Sequence, residues 1–292
     1  MKKIIFSLAA ITIALSSQAQ LLWKVSGGDT KGDSYLFGTH HIAPVSMIES
    51  TAGLTDAINS VATVYGEIDM SVMASPETQQ IAMKYSMAPA DSTLSKVLTA
   101  EQLDSVNTVL AKYTGGMLTV AQLEAVKPVV VDTQLGMFQS MTAFPEFTGQ
   151  EQLDLAIQER ARQAGKAVKG LETLEQQLDL LMGGSLAEQA KSLMKSIRRD
   201  DKSADDAKAL AEAYKIGDLT AMERLFNDPE AGMSPEVAKK LMYDRNDNWM
   251  AQLRNILPAE NVLVVTGVGH FIGEHGLIEQ LRNAGYTVTP IK

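Results

Sequence analysis

Four histidines occur in a chain of 292 residues, and they fall in two short segments. His40 and His41 close the stretch YLFGTHH that begins at Tyr35. His270 and His275 lie in VVTGVGHFIGEH, which begins at Val264. In each segment a strand-like apolar run ends at a glycine, and a histidine follows three residues later: Gly38 with His41, Gly267 with His270. A rigid strand that holds the backbone, and a loop that exposes the imidazole, place such a residue well for chemistry. The glycine permits a sharp turn or a close approach of backbone to a ligand. Glu67 of VYGEIDM is the natural third group, because a carboxylate ending an apolar strand is costly to bury unless it is paired or bound to a cation. Two imidazoles and one carboxylate (His41, His270, Glu67) with an open position for water form a common catalytic metal arrangement. The donor set alone does not select the metal. His40 reads as a loop or supporting residue and His275 as a surface or capping side chain. Asp69 shares a strand face with Glu67, where a ligand, a turn and a salt-bridge role all remain open.

The elements that must carry these residues come from both ends of the chain. Leu21 to Val25 and Tyr35 to Phe37 read as a hairpin around the turn-rich segment between them. SMIESTAGLTDAINSV has helical spacing, and VATVYGEIDM is a third strand with Val61, Thr63, Tyr65 and Glu67 alternating onto one face. From about Pro76 to Lys240 the pattern is mostly helical. Pro128 marks a boundary or kink, AVKGLETL forms a short strand leading to Glu172, and the charged run from Arg198 to Asp206 reads as a solvated face. SPEVAKKLMYDRNDNWMAQLRNIL reads as one helix with Ser234 at its N-cap. A strand ending near His270, a helix and a last strand, YTVTPIK, complete the chain. The two G-x-x-H units at opposite ends therefore suggest strand ends brought together in one sheet.

Composition narrows the function classes. Residues 1–19 have the build of a secretory signal. Lys2 and Lys3 lead a short apolar stretch from Ile4 to Leu15, and small residues follow before Ala19. That stretch is too short for a membrane span. Cleavage is expected after Ala19, which implies export, to the periplasm or beyond, and leaves residues 20–292 as a single domain without a transmembrane segment. The chain has no cysteine, so disulfides, a thiol nucleophile and cysteine-ligated zinc are excluded. Net charge is −9, which argues against nucleic acid as a partner. The 15 methionines are read as helical core filler.

YLFGTHHIAP, VYGEIDM, GLETLEQQ, YDRNDNW and VVTGVGHFIGEHGLIEQLRNAGYTV, in that order, resemble the TraB/GumN family, which includes the animal Tiki proteins. The resemblance implies an α/β fold of the erythromycin-esterase/ChaN-like class. In it a mixed sheet from both chain ends carries the site and a helical middle covers it. It also implies an active site of Gly38, His41, Glu67, Arg245, Gly267 and His270, with Glu172 as a further family glutamate. Tiki members are divalent-cation-dependent proteases, manganese or cobalt being favoured, and zinc suits the same donors. The leading expectation is therefore a metal-dependent hydrolase of peptides or proteins. Glu67 or Glu172 would be its general base, and Arg245 would hold the substrate or the developing oxyanion. The rival is a non-catalytic protein that binds haem or sequesters a peptide.

Overall fold

The computed structural model describes residues 20–147, 151–230 and 233–292. The expected signal segment, residues 1–19, lies outside the described residues. Six strands form one mixed sheet: β1 (Leu22–Ser26), β2 (Ser34–Thr39), β3 (Thr63–Gly66), β4 (Ala167–Gly170), β5 (Val262–Gly267) and β6 (Thr287–Pro290), in the order β4-β3-β5-β2-β1-β6. The first and last strands are neighbours and pair antiparallel, as do β1 and β2. The other pairings, β2 with β5, β5 with β3 and β3 with β4, are parallel. Four carboxyl ends therefore point to the same edge of the sheet.

Alternation along the strands sorts the core into two layers, since successive side chains face opposite sides. Phe37, Val64, Leu263 and Val265 pack on one face with Leu54, Ile58, Leu153 and Ile157. Leu36, Tyr65, Val262 and Val264 pack on the other with Trp249, Leu253, Leu257 and Leu281. A third cluster, including Leu94, Leu110, Leu135 and Leu193, lies within the helical middle. The result is the expected α/β architecture, with a sheet built largely from the chain ends and helices in between.

Local signals explain most helix limits. Thr99 and Gln102 form a reciprocal capping box before Ala100–Thr114, which ends at Gly115 in the left-handed conformation. Pro128 opens the Pro128–Met141 helix at its first position. Two readings need correction. The helix expected to run unbroken from Ser234 begins as Pro235–Ala238 with Ser234 as its cap, but a π-turn, Lys239–Tyr243, interrupts it before Asp244–Ala259. The charged run from Arg198 is not wholly solvated: Asp200 is buried and accepts bonds from Lys112 Nζ (2.6 Å), Tyr113 Oη (2.8 Å) and Gln139 Nε2 (2.9 Å).

Close packing at the strand ends makes a specific demand at Gly66. A Cβ there would lie 2.2 Å from Gln158 Nε2 and 2.7 Å from the Ile68 carbonyl oxygen. Gly66→Ala should therefore destabilise the protein by about 1–3 kcal/mol in urea unfolding, the usual cost of overpacking. An unchanged unfolding midpoint would show that the Ile68 loop yields freely.

Candidate active site at the carboxyl edge

The chain leaves each of the four parallel strands with a chemically active side chain. Past β2 comes His41, past β3 Glu67, past β4 Glu172 and past β5 His270. Register brings them together: Thr39 is opposite Gly267, Gly66 opposite both Val265 and Gly170. Backbone bonding continues beyond β3 and β4, with Leu171 N–H donating to the Gly66 carbonyl and Glu172 N–H to that of Glu67, each at 2.9 Å. Glu67 and Glu172 are thus set side by side. Glu67 lies just beyond its strand rather than within it, because β3 stops at Gly66. Ligands of parallel α/β sheets bind outside the carboxyl ends of strands, and these four side chains occupy that position.

Arg245 fills the centre. The guanidinium donates through Nη2 to Glu67 Oε2 and Glu172 Oε1 (both 2.6 Å) and through Nε to Glu172 Oε2 (3.2 Å). Nη1 reaches the Leu241 carbonyl at 3.1 Å and His270 Nε2 at 2.9 Å. Every donor of the planar fork is used. The residue is 9% exposed and lies over the Trp249 ring, 4.7 Å from its centroid. Gln177 Nε2 adds one bond to each carboxylate, 3.0 Å to Glu67 and 2.9 Å to Glu172, and Gly267 N–H donates to Glu67 Oε1 at 2.9 Å. Burial alone would raise the pKa of Glu67. The field of His270 where that ring is itself protonated, and those of Arg245 and His41 with the Gly267 N–H, outweigh it and hold the carboxyl down at about 2.

The two motif histidines have opposite surroundings. His270 is buried in the short turn Val268–Phe271. Asn246 donates its Nδ2 to the carbonyls of His270 (3.1 Å) and His275 (2.8 Å), which orients its Oδ1 as an acceptor for His270 Nδ1–H at 2.7 Å. Nε2 is then the lone-pair nitrogen, and Arg245 caps it. Burial, seconded by the positive neighbours Arg245 and His41 and opposed by Glu67, lowers the His270 pKa to about 3, so the ring is neutral. His41, by contrast, has 66% of its side chain exposed and places Nδ1 3.1 Å from Asp154 Oδ2. The Asp154 charge and hydrogen bond raise its pKa to about 9, an effect that water over the exposed ring partly screens. Asp154 is itself held by Thr39 Oγ1 at 2.6 Å.

EQLDLAIQERARQAGK reads from the sequence as a helix without a site residue, and it is one, Leu153–Gln163, yet one of its faces organises the edge. Asp154 in its first turn holds His41. Gln158, one turn on, donates Nε2 to the Ile68 carbonyl and accepts from Met70 N–H, both at 2.9 Å, fixing the loop after Glu67. Arg162, a further turn on, pairs with Asp69. Asp69 also caps the turn Met70–Ala74, so it takes the turn and salt-bridge roles. His40 turns away from the cluster, packing on Phe144 and Tyr214 (centroids 4.9 and 5.6 Å). The His275 ring stacks on Tyr243 at 4.3 Å.

The expected metal set was His41, His270 and Glu67. As the side chains stand, they do not fit an ion: His41 Nε2 is open, but Arg245 covers His270 Nε2 and Glu67 Oε2. Among the described residues no three His, Asp or Glu side chains are gathered so as to hold a metal. Arg245 is the cation of this arrangement.

The model of the TraB/PrgY/gumN family matches residues 21–290, and the chain belongs to that family. No curated protein and no solved structure matches the chain.

Two expectations follow from the electrostatics. Arg245→Gln strips the cation from two buried carboxylates and should cost about 3–5 kcal/mol. Without that cation burial would raise the folded-state pKa of Glu67, so this variant should regain stability as the pH falls and Glu67 protonates; a flat acid limb would show that water reaches it instead. His41 is the opposite case of a raised histidine. Its contribution is full below its unfolded pKa of 6.5 and is lost as the pH rises to about 9. Asp154→Asn should flatten the stability profile over that window and bring the His41 NMR titration back toward 6.5.

Proposed function

From family membership and the geometry of the carboxyl edge, we propose that the protein is an exported hydrolase that cuts peptide bonds. The observation that carries the hydrolase reading is the pairing of a solvent-facing histidine, anchored by a buried aspartate, with a buried cluster of opposite charges next to it. Export rests on the sequence pattern of residues 1–19 alone.

The chemistry assigned to the chain's own residues runs in this order. The substrate carbonyl lies against the cluster, where the positive field of Arg245, whose own donors stay engaged, favours the negative charge that develops on the oxygen. A carboxylate, Glu67 or Glu172, accepts a proton from the attacking water. The water oxygen bonds to the carbonyl carbon, and the carbon–nitrogen bond then breaks. His41, held as an imidazolium by Asp154 at neutral pH, gives its Nε2 proton to the departing amine. The proton taken from water later restores His41 through solvent. His270 stays neutral and fixes the guanidinium from behind. Metal dependence, which the family resemblance implies, would require Arg245 to leave His270 and Glu67 so that these two and His41 could hold a divalent ion. No step above rests on that change.

The test is cleavage of a mixed peptide library read by mass spectrometry, with chelator-treated protein and with manganese, cobalt or zinc restored singly. Wild type should cut, while His41→Ala should lose at least about a hundredfold, the scale of one general acid–base group, and melt within a few degrees of wild type. Arg245→Lys, which keeps the charge but not the fork, should also lose activity. Activity that survives chelation would assign catalysis to the residues alone; activity only with metal would show that Arg245 withdraws. No cutting under any condition, by folded protein, would sink the hydrolase reading.

A further inference from the structure

Behind the turn that carries His270 lies a cavity of about 420 Å³. Three segments wall it: the end of the helix Leu219–Phe226, the π-turn Lys239–Tyr243, and the loop after His270. The apolar walls come from Phe226, Met242, Tyr243 and Ile272. Met242 and Phe226 press on the backbone just before His270, since a Cβ on Gly269 would lie 2.3 Å from Met242 Cε and 3.4 Å from Phe226 Cζ. Asn246 joins the cavity to the site by holding the carbonyls of both His270 and His275.

Apart from His275, which pairs with Glu274, the charged side chains lining this cavity are carboxylates. Glu223 and Glu274 line it, and among the described residues no lysine or arginine does. Glu274 is largely exposed and pairs with His275 at 3.5 Å. Glu223 is half-buried, and its carboxylate has no bonding partner among the described residues. Its Oε1 lies beside Gly273, 3.6 Å from where a Cβ would stand there. A half-buried carboxylate beside aromatic and thioether walls is poorly solvated. The neighbouring helix end, with its partial negative charge, adds to the pull on a cation.

We infer that this cavity is the seat for a basic side chain, lysine or arginine, of the peptide substrate. The long alkyl stem lies along Met242 and Phe226, and the cationic head meets Glu223. Stem and head together match the two features of the wall, apolar sides and an unpaired carboxylate. An apolar side chain would leave Glu223 further desolvated, and an acidic one would be repelled. The inference rests on the hydrolase reading for the word substrate, but the seat itself does not depend on turnover.

The experiment therefore measures binding first. Protein labelled at its methionine methyl groups is titrated with the α-acetylated amides of arginine, lysine, norleucine and glutamate, and the Met242 signal, assigned through Met242→Leu, is followed by NMR. The arginine and lysine amides should bind about tenfold tighter than norleucine, the scale of one charge-assisted hydrogen bond. Glu223→Gln should erase that advantage without moving the melting temperature, while Glu274→Gln should retain most of it. Equal binding of norleucine, an unchanged advantage in Glu223→Gln, or no shift of Met242 with any probe would each overturn the seat. Peptide cleavage with no bias for a neighbouring basic residue would also overturn it and leave the hydrolase reading intact. Basic probes that bind as expected to a protein that cuts nothing would do the reverse.

Discussion

The buried guanidinium of Arg245 is the interaction on which the edge of this sheet depends. Four parallel strands end together and deliver two carboxylates into a space with little water. An ionised carboxylate there costs several kcal/mol unless it is paired and hydrogen-bonded. Arg245 meets both at once, with a two-point grip on Glu172 and a single short bond to Glu67. Its remaining donors go to a backbone carbonyl and a neutral histidine. Lysine offers one point charge on a flexible stem and no planar fork, so it would not satisfy this geometry. The π-turn just before the Asp244–Ala259 helix matters for the same reason: it sets the phase with which that helix starts, and Arg245 is its second residue.

What could be read beforehand was set by local chemistry. The paired G-x-x-H units pointed to strand ends sharing one sheet, and β2 and β5 are indeed adjacent and parallel. The glycine of the first unit was needed for close approach: a Cβ on Gly38 would stand 3.1 Å from the Val268 Cα. Glu67 was expected within a strand because Val61, Thr63 and Tyr65 alternate toward it. The sheet releases the chain one residue earlier, where Gly66 admits Gln158 and the Ile68 loop turns back. Alternation marks a face but not where pairing stops.

The supporting helix is legible as a helix, but its role at the strand ends is not, for a different reason. Asp154, Gln158 and Arg162 recur every four residues, the spacing of one helical face, and a polar face at that spacing normally meets solvent. Only the fold reveals that it meets the strand ends instead. Each of the three contacts joins residues far apart in sequence, from Asp154 to His41 and from Arg162 to Asp69. Asn246 and Gln177 were hidden in the same way, since an amide has no pattern of its own and acquires a role only from what it touches. Asp200 is the parallel case in the helical middle.

The same motif produces two different acids, and burial decides between them. Both histidines hold Nδ1 on an oxygen and present Nε2, yet one partner is a carboxylate and the other a neutral amide. Asp154 stabilises a proton on His41 in a ring that water can reach. Asn246 offers no charge to His270, and burial beside Arg245 disfavours a second positive ring there. Charge across the edge is divided in the same way: Arg245 meets Glu67 and Glu172, while His41, once protonated, meets Asp154. Protonating His270 in addition would set a buried positive ring directly against the Arg245 guanidinium and would forfeit its acceptance of the Arg245 bond. One histidine is thus open to proton exchange with solvent, while the other is held neutral by burial.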